Sequence, residues 1–398
     1  MKLIIVGGHL SPALAVLEAL PKDADVLFIG RKYTFEGDMV LSLEYREINK
    51  RKIPFAEVST GRLQRKFTRY TIPSLFKIPY GFIQAFFILV NFKPDVVLSF
   101  GGYLSIPVGI SAFLLGIPLV IHEQTLSAGL SNRILSFFAK KICISWETSK
   151  KYFPKDKTVF TGNPVRKFLL SSRPSPKGAW RDLLHQHINA GDSSTPFHFA
   201  RNDASLIYIT GGSGGSHFIN TLVEGCLAQL LEKFIIIHQT GDAQEYRDFE
   251  RLKDLKDSLP VRLKARYQIT KFVEPQEVGA VLQRADLVVG RSGINTVTEL
   301  MFFKKPSILI PLPYSQNNEQ IKNALFLKNQ GLGEVFYQTT SDVAKGKSSS
   351  FELLKVIETM IDNIDKYRAK YKLSELLKKE AGQKIVEVIY YEAKVKKN

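Results

Sequence analysis

Several short segments of this 398-residue chain place reactive or polar side chains directly after apolar runs. "VGGHLSPAL" brings His9 to a small-residue turn at a helix start. The positive end of a helix disfavours imidazolium, so such a ring stays neutral and able to take a proton at pH 7. A histidine that merely caps the helix fits the same segment. "ITGGSGGSHFIN" joins a strand-like run to a helix through glycines. Free backbone N–H groups and the helix dipole would favour a phosphate there, and Ser213 would add a hydroxyl. The pattern is neither GxGxxG nor a P-loop, and a tight turn packing strand on helix explains it equally well. "GRSGINTVTEL" puts Thr296 in a first helical turn with Glu299 close behind. A carboxylate so placed can accept both hydroxyls of a ribose, whereas an isolated Glu299 also reads as a capping-box acid. "PLPYSQNNEQIKNA" adds Asn317, Glu319 and Gln320 at another helix start. Two polar helix starts beside a phosphate-type turn resemble a nucleotide-sugar pocket. "VIHEQT" carries His122, Glu123 and Gln124 to a strand end, and "FTGNPVR" ends the first half with Arg166. The "DAD" at 23–25 mimics a metal-binding Asp-x-Asp, but it precedes a strand and reads as a surface loop.

The elements that must position these groups are legible as alternating patterns. "KLIIV", "DVLFIG", "DVVLSF", "PLVIHE", "KICIS" and "TVFTG" read as buried strands, with "PALAVLEAL" and "YLSIPVGISAFLLG" among the helices between them. "SLIYIT", "FIIIHQT", "DLVVG" and "PSILIP" continue the scheme, with helices near 216–232, 294–303 and 317–330 and Gly331 as a C-cap. Both halves open with strand, Gly-rich turn and helix. That weak repeat predicts an α/β protein of two Rossmann-like domains facing a cleft. The expected division is 1–170, a polar linker or insertion at 171–204, 205–364, and a long basic terminal helix from 365 to 398 that could pack back on the N-terminal domain.

The formal net charge of +17 demands an acidic partner: nucleic acid, an anionic membrane surface or phosphorylated substrates. Residues 50–93 carry nine Lys or Arg against the single acid Glu57. Within them "SLFKIPYGFIQAFFILVNF" is aromatic-rich, but Lys77, Gln84 and Asn91 interrupt it and Pro79 would kink it, which argues against a transmembrane helix and leaves a membrane-seated surface or an ordinary core helix. Two distant cysteines, Cys143 and Cys226, suggest neither a disulfide framework nor a zinc site, and the N-terminus is too short in apolar residues for a signal peptide.

In one order along most of the chain stand "GGH", "PALAV", "FGGYLSIPVGISAFLLGIPLVIHEQ", "AGLSNR", "TGNPVR", "GGSGG", "HQTG", "RSGINTVTEL", "KKPSILIPLP" and "NNEQIKNA". This resembles the MurG family, membrane-associated UDP-N-acetylglucosamine transferases that convert lipid I to lipid II in peptidoglycan synthesis. The resemblance implies a GT-B fold and an inverting transfer without metal or other cofactor. Its implied partners are UDP-N-acetylglucosamine, a polyprenyl-diphosphate-linked muropeptide and the anionic inner-membrane surface, at the cytoplasmic face and without nucleic acid. By motif, His9 and Glu123 fall at catalytic positions. Gly7, Gly8, Thr125, Arg166, Gly212, Ser213, Val273, Ile294, Asn295, Thr296, Glu299, Glu319 and Gln320 fall on the donor side, Val273 where the backbone meets uracil. Gly101, Gly102, Tyr103, Gln124 and Asn132 fall on the acceptor side.

This chain departs from the family pattern in places. The first glycine turn, of the form "GGTGGH" in the family, is shortened to "GGH", which puts its diphosphate contacts in doubt. Thr125 stands where an Asn usually follows "HEQ", and the carboxylate of Glu319 enters a motif that usually ends in His-Gln or Gln-Gln. A UDP-N-acetylglucosamine epimerase or a transferase with another lipid acceptor would share the donor motifs. A basic nucleic-acid-binding protein would explain the charge but not the polar strand ends.

Overall fold

The structure, a computed structural model, describes residues 1–33, 41–61, 71–166, 204–212, 214–243, 245–274, 277–338, 346–370 and 380–395. Ser213 and nearly all of the expected insertion at 171–204 lie outside the described residues, as do Arg62, Arg65, Lys66 and Arg69 of the basic segment. The chain divides into two compact units, Met1–Lys167 with Glu375–Asn398, and Phe168–Ser374.

The first unit holds β1 (Lys2–Val6), β2 (Asp25–Gly30), β3 (Phe55–Glu57), β4 (Val96–Ser99), β5 (Leu119–Glu123), β6 (Lys141–Ile144) and β7 (Thr158–Phe160). Between them run α1 (Leu10–Ala19), α2 (Leu43–Lys50), α3 (Thr71–Phe92), α4 (Ser105–Leu114) and α5 (Leu130–Leu135). The strands form one parallel sheet in the order β3-β2-β1-β4-β5-β6-β7. Val6 of β1 pairs with Ile29 on one side and Ser99 on the other. Side chains alternate faces along a strand. Leu3 and Ile5 therefore pack with Leu14, Val16 and Ile48 beneath α1 and α2, while Ile4 and Val6 pack with Ala85, Leu89 and Val108 beneath α3 and α4. Helices on both faces are why these strands read as continuous apolar runs.

The second unit holds β8 (Leu206–Thr210), β9 (Ile235–Gln239), β10 (Tyr267–Thr270), β11 (Leu287–Gly290), β12 (Ser307–Leu309) and β13 (Gly333–Val335), a parallel sheet in the order β10-β9-β8-β11-β12-β13. Its helices are α6 (His217–Glu224), α7 (Leu227–Lys233), α8 (Asp248–Ser258), α9 (Val261–Lys264), α10 (Val278–Arg284), α11 (Ile294–Phe302), α12 (Glu319–Asn329), α13 (Gly346–Asp362) and α14 (Ile364–Lys370). The single helix expected near 216–232 is broken between α6 and α7. A Cβ on Gly225 would stand 2.4 Å from the Ser350 hydroxyl of α13, so the chain turns at a glycine where another helix presses on it. Gly331 takes φ 76° just after α12, as a C-cap glycine does.

Among the described residues the terminal region holds two helices, and residues 371–379 between them lie outside the described residues. α14 stays with the second unit, where Arg368 bridges Asp286 at 2.8 Å and the Tyr367 hydroxyl donates to Glu334. A separate α15 (Ala381–Val395) packs Ile385, Val386 and Ile389 into the first unit's core beside α1. Hydrophobic spacing, not basicity, decides where it goes.

In each sheet the chain runs outward from one strand and then returns to that strand's other side. The reversals fall between β1 and β4 and between β8 and β11, the points where open α/β sheets bind ligands at their carboxyl edges.

Candidate active site

At the first unit's carboxyl edge two glycine turns touch. A Cβ on Gly8 would lie 2.2 Å from the Gly101 carbonyl oxygen, and one on Gly102 would meet Gly8 at 3.3 Å. His9 is the N-cap residue of α1, with extended backbone, but its side chain makes no capping bond. The capping explanation of His9 therefore does not hold. Burial lowers its pKa to about 4, which leaves a neutral imidazole at pH 7. The expected cause was the helix dipole; the dominant one is loss of water. His122, fully buried on β5 two strands from β1, is held neutral by burial as well, with a pKa of about 3, and the charge of a protonated His9 would disfavour its own protonation further.

Glu123 ends β5 with its carboxylate committed. Oε1 accepts from the Thr125 N–H at 2.9 Å and hydroxyl at 2.6 Å, and Oε2 from the Gly129 N–H at 2.9 Å and the Asn132 amide at 3.0 Å. Four donors fill the lone-pair sites of one carboxylate. Burial still raises its pKa, against those four bonds. Asn132 also donates to the His122 carbonyl, while its own buried Oδ1 meets no hydrogen-bond donor among the described residues. The Gln124 carbonyl is held by the Trp146 indole at 2.8 Å. Tyr103, beside the second glycine turn, has the Arg31 guanidinium 6.0 Å from its ring centre. Asp25, by contrast, begins β2 at the opposite edge, as its place before the strand suggested.

Arg31 and Glu44 carried no signal in the sequence, because the contact that matters spans the turn. The Glu44 carboxylate accepts from the Arg31 N–H at 3.1 Å and from the Gly8 backbone. It fills the space beside Gly7 and Gly30, where added Cβ atoms would stand 1.9 and 2.7 Å from its oxygens. Burial raises its pKa, opposed by these bonds and by the Arg31 charge.

The second unit's edge is more open. In the turn from Gly211 to Gly215, Gly212 and Gly215 take φ 84° and 74°. Gly215 presses on Thr240 and Gly241, whereas nothing lies within 4 Å of a Cβ built on Gly212 or Gly214. Ser216 caps α6 by accepting from the Ile219 N–H. Gln239 ties the turn to the sheet: its amide donates to the Gly212 carbonyl at 2.9 Å, and its oxygen accepts from Tyr208 at 2.8 Å and the Val273 N–H at 3.4 Å.

Arg291 is the group that motif reading passed over. Its guanidinium donates to Ser216 Oγ at 2.7 Å, to the Ile310 carbonyl at 3.0 Å and to Gln338 at 3.0 Å, all neutral acceptors. Burial lowers its pKa to about 10. A partly desolvated cation whose hydrogen-bond partners among the described residues carry no charge is poised for an anion. Its signal was present, a lone base in "VVGRSG" at a strand end.

α11 begins at Ile294 with Gly293 as N-cap and no side-chain cap. Its third position is Thr296, so Glu299 stands a turn too far along to act as a capping-box acid. Asn295, Thr296 and Glu299 are half-buried, and Glu299 lies near enough to the Tyr208 hydroxyl to oppose its ionisation, after burial the second cause raising that pKa. Asn317 and Asn318 both take left-handed backbone before α12. Gln320 accepts from the Leu312 N–H at 3.0 Å and Glu319 reaches Asn323 at 3.5 Å. Arg166, after β7, is 8% exposed. Among the described residues no three His, Cys, Asp or Glu side chains converge as metal ligands would, and no helix is long and apolar enough to cross a membrane.

The chain matches the sequence profile of the glycosyltransferase family 28 N-terminal domain over residues 6–144 and that of the family 28 C-terminal domain over 206–387. It is 33% identical over 335 residues, 83% of this chain and 81% of the relative, to the UDP-N-acetylglucosamine–N-acetylmuramyl-(pentapeptide) pyrophosphoryl-undecaprenol N-acetylglucosamine transferase of Treponema denticola. It is 30% identical to a Bacillus cereus transferase of the same name, covering 98% of this chain and 97% of that one. Among solved structures it superposes on Acinetobacter baumannii MurG with a TM-score of 0.62 at 25% identity, covering 98% of this chain and all of that one. The Neisseria meningitidis UDP-GlcNAc 2-epimerase, at 17% identity and a TM-score of 0.61 over 98% of this chain and all of that one, shares the fold. Both family domains stand in order, and the Bacillus relative matches over nearly its whole length: the chain belongs to glycosyltransferase family 28, within the MurG family.

Proposed function

We propose that this chain transfers N-acetylglucosamine from UDP-N-acetylglucosamine to the C4 hydroxyl of the N-acetylmuramoyl unit of a polyprenyl-diphosphate-linked acceptor, with inversion and without a metal ion. The observation that carries the reading is the open glycine turn of the second unit, with the α6 start and the half-buried Arg291 behind it. As the acceptor oxygen bonds to the anomeric carbon, the bond to the diphosphate breaks and UDP departs with the electron pair. The Gly212 N–H is taken by the Thr210 hydroxyl and the Gly215 N–H by the Gly212 carbonyl, so the Arg291 charge and the turn's remaining backbone donors oppose the charge that develops; one preorganised donor of this kind is worth about 2.7–4 kcal/mol. Glu299 holds the ribose hydroxyls, and Val273 lies on the uracil side. His9 takes the hydroxyl proton. Glu123, its lone pairs already engaged, sets the shape of the 123–132 turn and is the weaker candidate for base.

The first unit would rest on the anionic cytoplasmic face of the inner membrane. Along α3, Ala85 and Leu89 are buried, but Tyr80, Ile83, Phe87 and Val90 form a stripe between 38% and 58% exposed, with Lys77 and Lys93 exposed near it. The core-helix expectation thus fits one face of α3 only. Each base near an anionic surface adds about 1 kcal/mol to inserted apolar side chains.

Incubation of the whole chain with labelled UDP-N-acetylglucosamine and a short-chain lipid I analogue, in chelator, tests the reaction. Label should move to the lipid. Label that stays on UDP, or appears only as the 2-epimer, contradicts it.

A further inference from the structure

The first glycine turn does not present the donors that a diphosphate would need. Its Gly8 N–H already points to the Glu44 carboxylate, which also takes the Arg31 N–H and occupies the space beside Gly7 and Gly30. A fixed carboxylate there repels a second anion and competes for the same donors. The turn is also shorter than the family form, "GGH" in place of "GGTGGH". An acceptor carrying a diphosphate still needs a cation near the β1/β4 reversal.

Arg31 is placed to be that cation. It follows the carboxyl end of β2, the strand next to β1, and its side chain is exposed. Its guanidinium stands 6.0 Å from the Tyr103 ring centre, beside the Gly101–Gly102 turn that packs against Gly8. Its backbone is pinned by Glu44, so one interaction both closes the first turn and fixes where the arginine starts. A guanidinium offers paired donors that match phosphate oxygens.

Resting on the reaction proposed above, we infer that Arg31 receives the acceptor's diphosphate in this chain, taking over from a glycine turn that Glu44 has closed. The role is recognition of the acceptor; no bond to the diphosphate forms or breaks at Arg31.

The test measures binding of a short prenyl diphosphate to the whole chain, with saturating UDP present to occupy the second unit's edge. Wild type should bind it, Arg31→Ala should bind about tenfold more weakly, and Arg31→Lys should fall between, since a point charge replaces the fork. Glu44→Gln, which keeps an oxygen acceptor but removes the charge, should bind at least as tightly as wild type. In transfer assays Arg31→Ala should raise the KM for the lipid acceptor while kcat and the KM for UDP-N-acetylglucosamine stay near wild type. Equal binding by Arg31→Ala and wild type overturns the inference, as does an Arg31→Ala defect in kcat alone. Arg31-dependent binding by a chain that transfers no sugar would support this inference and sink the reaction instead.

Discussion

The two carboxyl edges begin from the same unit of strand, glycine turn and helix, and they end differently. In the first, the room beside the glycines is filled, although Gly8 itself is exposed: Glu44 lies against Gly7, the Gly101 carbonyl lies against Gly8, and the side chain proposed as the base, His9, is neutral. In the second, Gly212 and Gly214 face open space, and the charged group behind the turn, Arg291, has neutral partners. A closed turn beside a neutral imidazole suits proton abstraction. An open turn backed by a desolvated cation suits a diphosphate. The same supersecondary frame is specialised by what fills the space beside its glycines.

The largest expected effect tests the first edge. His9→Ala should lower kcat by roughly 10²- to 10⁴-fold, the usual contribution of a general base, with UDP-N-acetylglucosamine affinity little changed. Steady-state kinetics beside a donor titration checks this, and an unaltered kcat removes His9 as the base.

A matched pair of substitutions tests the contrast itself. Gly8→Ala drives a methyl group into the Gly101 carbonyl and should cost about 1–3 kcal/mol of stability, as overpacking does. Gly214→Ala meets no neighbour and should leave the denaturation midpoint in place while weakening UDP binding. Equal stability losses from both would erase the distinction between a closed and an open turn.

Acidification tests both units at once. His122 in the first unit and His238 in the second are fully buried, and burial lowers each pKa to about 3. Unfolded histidine takes up a proton near pH 6.5, which the folded ring refuses until far lower pH. The unfolded state then binds more protons, so stability present above pH 6.5 falls as the pH drops below it, by roughly 1.4 kcal/mol per pH unit for each ring. Urea midpoints between pH 7 and 5 should show the decline; a flat profile would mean that these rings are charged in the folded protein.

Much of the frame was legible because buried parallel strands are written as unbroken apolar runs, as in "KLIIV" and "FIIIHQT". The strands that pattern reading missed are β3, β10 and β13, all at sheet edges, each short and carrying a polar residue such as Glu57, Gln268 or Glu334. An edge strand pairs on one side only and needs no long apolar run. Of the proposed site, the residues at or after strand ends in sequence could be singled out by motif, among them His9, Glu123 and Glu299. Glu44 was not, since its contact with Gly7 and Gly8 joins residues far apart in the chain. Nor was the role of Arg291, whose meaning comes from neutral neighbours contributed by the first turn of α6, the end of β12 and the segment after β13.

The most direct measurement is calorimetric titration of UDP into the whole chain, with Glu299→Ala and His9→Ala alongside. UDP should bind with measurable heat; Glu299→Ala should weaken it about tenfold or more, the worth of hydrogen bonds to a charged group, while His9→Ala stays close to wild type. No heat with UDP, or an affinity indifferent to Glu299, would contradict the assignment of the nucleotide to the second unit's open edge.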